Sequence, residues 1–274
     1  MTGQSAKPTS ATAQGVDLEC MVPLTPDAKG LPRLICVPYA GGGASVYRPW
    51  AKLAEGRLEV WAVRPPGRES RFREPAHEHV EPFVDALVGT VRPLIDDGAP
   101  FALFGHSMGA VVSFELAHAL RRCGLPEPGH LFVGGRRAPR FPDSTPIHRL
   151  DSATFLDAVL RLEGIPQEIL SEPGLIDLVL PTLRADFAVA ETYRYTPVEP
   201  LDCPITAFGG LSDPTTSSEQ LAAWRDFTGG AFRQRMLPGD HFFVHSAVRE
   251  VVESVIEDFE SSRDGRTVNR MRQE

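Results

Sequence analysis

A chain of 274 residues, 42% of them hydrophobic, is long enough for one substantial domain with a buried core, and no shift of composition divides it in two. Its 28 Lys and Arg against 36 Asp and Glu give a formal net charge of -8, which argues against nucleic acid as a partner. No apolar run has the length of a membrane span and the start lacks the apolar core of a signal peptide, so a cytoplasmic protein is expected. The four cysteines, Cys20, Cys36, Cys123 and Cys203, are scattered without metal-ligand spacing, so buried reduced thiols and no metal or cofactor are expected.

In chain order, residues 1–17 read as a polar, flexible lead, 18–262 as a single domain and 263–274 as a polar, flexible tail. Short apolar runs predict strands at Arg33–Val37, Leu58–Val63, Phe101–Phe104, Leu131–Val133, Ile205–Phe208 and Phe232–Leu237. Helical spacing predicts helices at Glu81–Ile95, Met108–Arg122, Glu219–Phe227 and Phe243–Ser261. This alternation is the pattern of an α/β fold, a mostly parallel sheet flanked by helices. From Ile147 to Tyr195 the rhythm breaks. Apolar residues including Phe155, Val159, Leu183 and Phe187 recur at helical spacing with no strand, and Pro166, Pro173 and Pro181 are expected to cut the stretch into short helices. Such an insertion, at about 147–195, is a candidate lid; the competing reading is a set of crossover helices packed on the core.

The strand ending at Phe104 runs into Gly105-His106-Ser107-Met108-Gly109 and then into a helix, which is the strand–turn–helix context of a nucleophile elbow. In such a turn the serine takes a strained backbone conformation, and side chains two residues to either side would collide with their surroundings. A tetrahedral oxyanion needs two preorganised donors. The backbone N–H of Met108 is the first, and the glycine-rich loop Val37-Pro38-Tyr39-Ala40-Gly41-Gly42-Gly43 offers Ala40, with Tyr39 as the next choice. The remaining partners must follow the serine in the order acid, then histidine. Asp213 sits in a turn after one predicted strand, and His241 in the loop after the last, so they are the expected orienting acid and general base. Asp240 and His245 are less well placed, and His106 is too near Ser107 to act on it, so it is expected to pack beneath the elbow.

With these residues in hand, the chain resembles the type II thioesterases, editing hydrolases that accompany polyketide synthases and nonribosomal peptide synthetases. The likeness runs from about Pro32 to Phe259 and rests on Val37–Trp50, Arg64–Phe72, Phe104–Ala110, Leu183–Phe187, Glu191–Tyr195 and Pro238–Phe243. It implies an α/β-hydrolase fold and hydrolysis of acyl groups from the phosphopantetheine arm of an acyl or peptidyl carrier protein, through an acyl-serine. By motif, Ser107, Asp213 and His241 take the triad, and Ala40 and Met108 the oxyanion hole. Many members carry His where Tyr39 stands, and the acid loop lacks the acidic residues that often precede the aspartate. Tyr39, Phe155, Val159 and Phe187 are expected to contact the acyl chain, and Arg136 and Arg137 to meet the carrier or its phosphate. A monomer suffices for this chemistry. An esterase or lipase on small esters, an acyltransferase using the same triad, and a non-catalytic binding protein are the alternatives.

Overall fold

The computed structural model describes residues 12–13, 15–142, 146–162 and 173–271. A two-stranded ribbon of β1 (Thr12–Ala13) and β2 (Val16–Asp17) precedes a seven-stranded sheet. That sheet comprises β3 (Met21–Pro23), β4 (Arg33–Val37), β5 (Glu59–Val63), β6 (Phe101–His106), β7 (Leu131–Gly134), β8 (Ile205–Gly210) and β9 (Phe232–Leu237). Its order is β3-β5-β4-β6-β7-β8-β9. Within this sheet only the β3–β5 pair is antiparallel. All six predicted strands are present; β3 is an addition, at three residues too short, and closed by Pro23, to stand out as a run of its own.

Alternation along the strands decides what each face of the sheet carries. Ile35, Val37, Leu103, Leu131, Val133, Ile205 and Ala207 face one buried cluster, which they share with α2 (Val80–Ile95) and α3 (Met108–Arg122). Leu34, Cys36, Ala102, Phe104, Phe132 and Phe208 face the other, shared with α1 (Arg48–Leu53) and the C-terminal helix. In α2 the buried positions Val80, Phe83, Val84, Leu87, Val91 and Leu94 keep helical spacing, which explains why this segment coils and why that stripe meets the sheet. Full burial of a core side chain such as Phe104 contributes about 1.5–3 kcal/mol.

The insertion between β7 and β8 carries α4 (Ser152–Leu160) and α5 (Pro173–Thr192). Asp151 caps α4 by accepting the N–H groups of Ala153 and Thr154. Pro166 lies outside the described residues. Pro181, expected to end a helix, lies inside the 20-residue α5. It and Asp177, whose carbonyl it deprives of a donor, are both exposed, so water can serve that carbonyl and the helix continues. Past β8, α6 (Ser218–Ala222) opens with a capping box between Ser217 and Gln220 and passes into a 3-10 turn. The last predicted helix divides into α7 (Phe243–Ser246) and α8 (Val248–Met271), and α8 continues well past Ser261. Of the cysteines, Cys36 and Cys203 are buried, Cys20 is half-buried and Cys123 is exposed, so the expectation of buried thiols holds for two of them. Among the described residues no helix is long and apolar enough to cross a membrane.

The topology also locates the site. After β4 the chain moves to β5 on one side, and after β6 to β7 on the other, so the loops leaving β4 and β6 diverge and open a crevice at the strands' carboxyl ends. Val37 and Gly105 are paired in register as the last partners of these two strands. The glycine-rich loop and the elbow therefore start side by side.

Candidate active site

Ser107 sits between β6 and α3 with φ 54° and ψ -112°, a conformation that non-glycine residues rarely adopt. Its N–H is tied to the carbonyl of Gly134, the end of the neighbouring strand, at 2.8 Å. The flanking glycines are there because nothing larger fits. A Cβ on Gly105 would lie 2.0 Å from the Gly109 carbonyl oxygen, and one on Gly109 would lie 2.2 Å from the Val37 carbonyl oxygen. Strand, elbow and helix are thus in backbone contact on both sides of the serine, and this over-determined packing sustains the strained backbone.

His241 and Asp213 come from the loops after β9 and β8. His241 Nδ1 lies 2.9 Å from Asp213 Oδ2. Thr215, which the sequence reading did not single out, completes the arrangement. Its hydroxyl donates to Asp213 Oδ1 at 2.7 Å and lies 3.0 Å from His241 Nδ1, and its N–H donates to the same Oδ1 at 2.8 Å. Nδ1–H therefore faces two acceptors, and the tautomer this selects for the neutral imidazole carries its lone pair on Nε2. The Asp213 side chain is fully buried. Burial pushes its carboxyl upward, but the hydrogen bonds and charge of His241 and the bonds from Thr215 outweigh that and hold it below the ordinary aspartate range. Thr215 carries no motif of its own; its place two residues after an acid, where an Asx-type turn forms, was the available signal.

Ser107, His241, Ala40 and Met108 line one pocket of about 210 Å³, together with Tyr39, Thr215 and Thr216. Its far wall comes from the insertion: Ile147, Val159, Leu162, Leu183, Phe187 and Ala190. Of the four residues expected at an acyl chain, Tyr39, Val159 and Phe187 line the pocket. Phe155 does not. It is fully buried, edge-on to the Phe187 ring at 5.5 Å, with the Arg184 guanidinium over its face, so it backs the wall instead of forming it. Arg136 and Arg137 also line the pocket, each with a guanidinium N–H on a backbone carbonyl, of Ala190 and Pro142 respectively.

The other histidines sort by their contacts. His106 is fully buried, as expected of a residue beneath the elbow. Burial, reinforced by the neighbouring His241, pushes it well below the ordinary histidine range. The ring is thus neutral, and its Nε2–H donates to the His241 carbonyl at 2.8 Å. His245 pairs with the Tyr39 hydroxyl at 2.7 Å. His148 lies against Glu191, which lines the pocket and also accepts the N–H groups of Ile147 and His148. His118 and His130 are core residues, and His77 stacks on Phe83.

A parallel sheet with a serine elbow after a central strand and an acid and a histidine in later loops defines an α/β-hydrolase. Comparison with known proteins narrows the class. Residues 32–262 match the thioesterase domain model. The chain is 41% identical over 222 residues to the gramicidin S biosynthesis protein GrsT of Aneurinibacillus migulanus, covering 81% of this chain and 86% of that protein. It is 37% identical over 223 residues to thioesterase PikA5 of Streptomyces venezuelae, covering 81% and 79%. Among solved structures, the type II thioesterase BorB of the borrelidin cluster superposes with a TM-score of 0.80 at 32% identity, covering 88% of this chain and 97% of BorB. RedJ, the prodiginine pathway thioesterase of Streptomyces coelicolor, gives 0.77 at 36% identity, covering 86% and 94%. The chain belongs to the thioesterase family.

Proposed function

We propose that this thioesterase removes acyl groups from the phosphopantetheine arm of carrier proteins in polyketide or nonribosomal peptide assembly, with Ser107 as nucleophile. The observation that carries the reading is the pocket itself. It holds a strained serine, the imidazole of His241 and the loop of Ala40 at one end, and an apolar wall of Val159, Leu162, Leu183 and Phe187 at the other.

In this reading His241 Nε2 takes the Ser107 hydroxyl proton as the oxygen attacks the thioester carbonyl, and the Asp213 carboxylate and Thr215 hydroxyl hold the imidazolium that forms. The backbone N–H groups of Ala40 and Met108 receive the oxyanion, and the position of Ser107 at the start of α3 adds the positive end of the helix dipole. Collapse expels the pantetheine thiolate, a leaving group that needs little acid help, and leaves acyl-Ser107. The thiolate takes up the proton held by His241 as it leaves; water, deprotonated by the neutral imidazole, then attacks the ester, and that proton passes to the Ser107 oxygen as the acid departs. The apolar wall accommodates the acyl chain, and Arg136 and Arg137 meet the carrier or its phosphate. The relatives' pathway names support the substrate class.

The test is intact-mass measurement of carrier proteins bearing short, branched and extended acyl chains after exposure to the enzyme. Wild type is expected to strip them and Ser107→Ala to leave them loaded. Chains untouched by wild type would sink the substrate assignment, and equal loss with the variant would sink the mechanism. In an added arm, the Arg136→Gln, Arg137→Gln variant should slow carrier-bound turnover but not turnover of acyl-pantetheine; no difference between the two removes the arginines from the reading.

A further inference from the structure

Two of the stretches that carry the family likeness, Arg64–Phe72 and Leu183–Phe187, contribute no catalytic group to the chemistry just described, although Leu183 and Phe187 line the pocket. They meet each other at a buried ion pair. Arg68 Nη1 and Nη2 grip Asp186 Oδ2 and Oδ1 at 2.6 Å and 2.7 Å, a two-pronged contact with both residues buried. This pair does not stand alone. Asp186 Oδ2 also accepts the N–H of Gly41 at 2.7 Å, and Arg68 Nη1 donates to the Gly42 carbonyl at 2.9 Å. One side chain from the insertion and one from the loop after β5 therefore hold backbone groups of two consecutive residues of the glycine-rich loop.

The groups they hold lie at the center of a turn. The Gly42 N–H bonds the Tyr39 carbonyl at 2.9 Å, closing a four-residue turn in which Ala40 and Gly41 are the middle pair. Gly41 has φ +81°, which the third residue of a type II turn requires, and a Cβ there would come 3.0 Å from Leu183 Cδ1 on α5. Asp186 thus anchors the peptide that joins Ala40 to Gly41. Rotation of that peptide would re-aim the preceding one, which bears the Ala40 N–H. At the outer end, Glu69, itself at φ 49°, accepts the Ser45 N–H at 3.0 Å and pairs with Arg64 at 2.9 Å. The loop is braced along its length.

We propose that Asp186 is a positioning residue for the oxyanion loop, held in place by Arg68, so that helix α5, which lines the acyl pocket with Leu183, Phe187 and Ala190, also sets the direction of the Ala40 N–H. This rests on the reading of Ala40 as an oxyanion donor. A burden on the transition state alone follows: loss of the contact lowers kcat and leaves substrate binding nearly unchanged. An Asn at position 186 can accept one N–H, but its amide nitrogen would face the Arg68 guanidinium donor to donor.

The experiment compares wild type, Asp186→Asn, Arg68→Lys and Ser107→Ala on an acyl-pantetheine thioester, with a trifluoromethyl ketone analogue of that thioester as the tetrahedral mimic. Asp186→Asn is expected to lose about 10- to 100-fold in kcat, with KM changed less than threefold and analogue affinity weakened in parallel. Arg68→Lys, which keeps the charge but not the fork, is expected to fall between it and wild type. Unchanged kcat in folded Asp186→Asn, or a fall in thermal stability with kcat and analogue affinity intact, overturns the proposal. Turnover by Ser107→Ala would instead overturn the reading of the site on which it rests. If the position 186 variant does not fold, amide exchange in the wild-type protein decides: a slowly exchanging Gly41 N–H is expected, and exchange at the rate of an open loop overturns it.

Discussion

The two walls of the pocket are held by different means. On the sheet side, the elbow and the loops of Asp213 and His241 hang from strand ends, and at the elbow the geometry is backbone packed on backbone: Gly105 against Gly109, Gly109 against Val37, Ser107 N–H on Gly134. On the insertion side, α4 and α5 are tied down by side chains. Asp186 reaches Arg68 and Gly41, Glu191 holds Ile147 and His148, and Arg184 donates to the carbonyls of His148 and Leu150. A backbone-built wall fixes atoms for chemistry, whereas the apolar lining of the other wall, Val159, Leu162 and Phe187, can be re-cut for a different acyl group while Asp186 and the remaining ties stay in place. The two walls should therefore answer substitution differently.

The sharpest break is expected on the sheet side. Asp213→Asn keeps the shape of the acid loop but abolishes the charge that holds the imidazolium, and should lower kcat by roughly 10³- to 10⁴-fold. The same variant bears on pH. Because the folded state holds the Asp213 carboxyl below its ordinary value, its stabilising contribution is complete above that value and is lost as pH falls through the folded one. Thermal denaturation of wild type and variant should accordingly differ by a constant amount above about pH 4 and converge in more acid solution. A gap that widens on acidification would contradict the assignment.

Next in size is Gly109→Ala. The added methyl meets the Val37 carbonyl oxygen, a backbone atom that cannot swing aside, so denaturant unfolding should show a loss of about 3 kcal/mol. A loss below about 0.5 kcal/mol would mean that elbow and strand are less tightly joined than described. The smallest effects belong to the apolar side chains of the insertion. Phe187→Ala, on the pocket wall, should raise KM for a long acyl thioester about tenfold relative to a short one. Phe155→Leu, one layer behind, should lower stability by about 1 kcal/mol and leave that ratio unchanged. If Phe155→Leu shifted the ratio as much as Phe187→Ala, the distinction between wall and backing would fail.

The same contrast explains what could be read before the structure. The elbow, the glycine-rich loop and the positions of Asp213 and His241 are local: each is a short motif at a strand end, and the strands themselves stand out as apolar runs. Helical spacing likewise announced the insertion. What stayed hidden was everything decided by distant partners. Nothing near Arg68 in the sequence points to Asp186, 118 residues on. Phe155 and Phe187 have equal claims from periodicity, and only packing tells which one faces the cavity. Pro181 reads as a helix end because the propensity rule assumes that the freed carbonyl has no recourse, and on an exposed turn it does. Thr215 is invisible for another reason: a hydroxyl beside an acid is common in turns, and its second contact, with His241, comes from 26 residues away.

His106 has a final consequence for how such an enzyme fails. Its neutral ring, sealed under the elbow, fastens the backbone carbonyl of His241 to the last residue of β6, and Gly135 lets the chain pass so close to the ring that an added Cβ would lie 2.7 Å from it. The loop bearing His241 is therefore stitched to the center of the sheet. On heating, activity and native structure should vanish together at one temperature, with no interval in which a folded but idle protein accumulates.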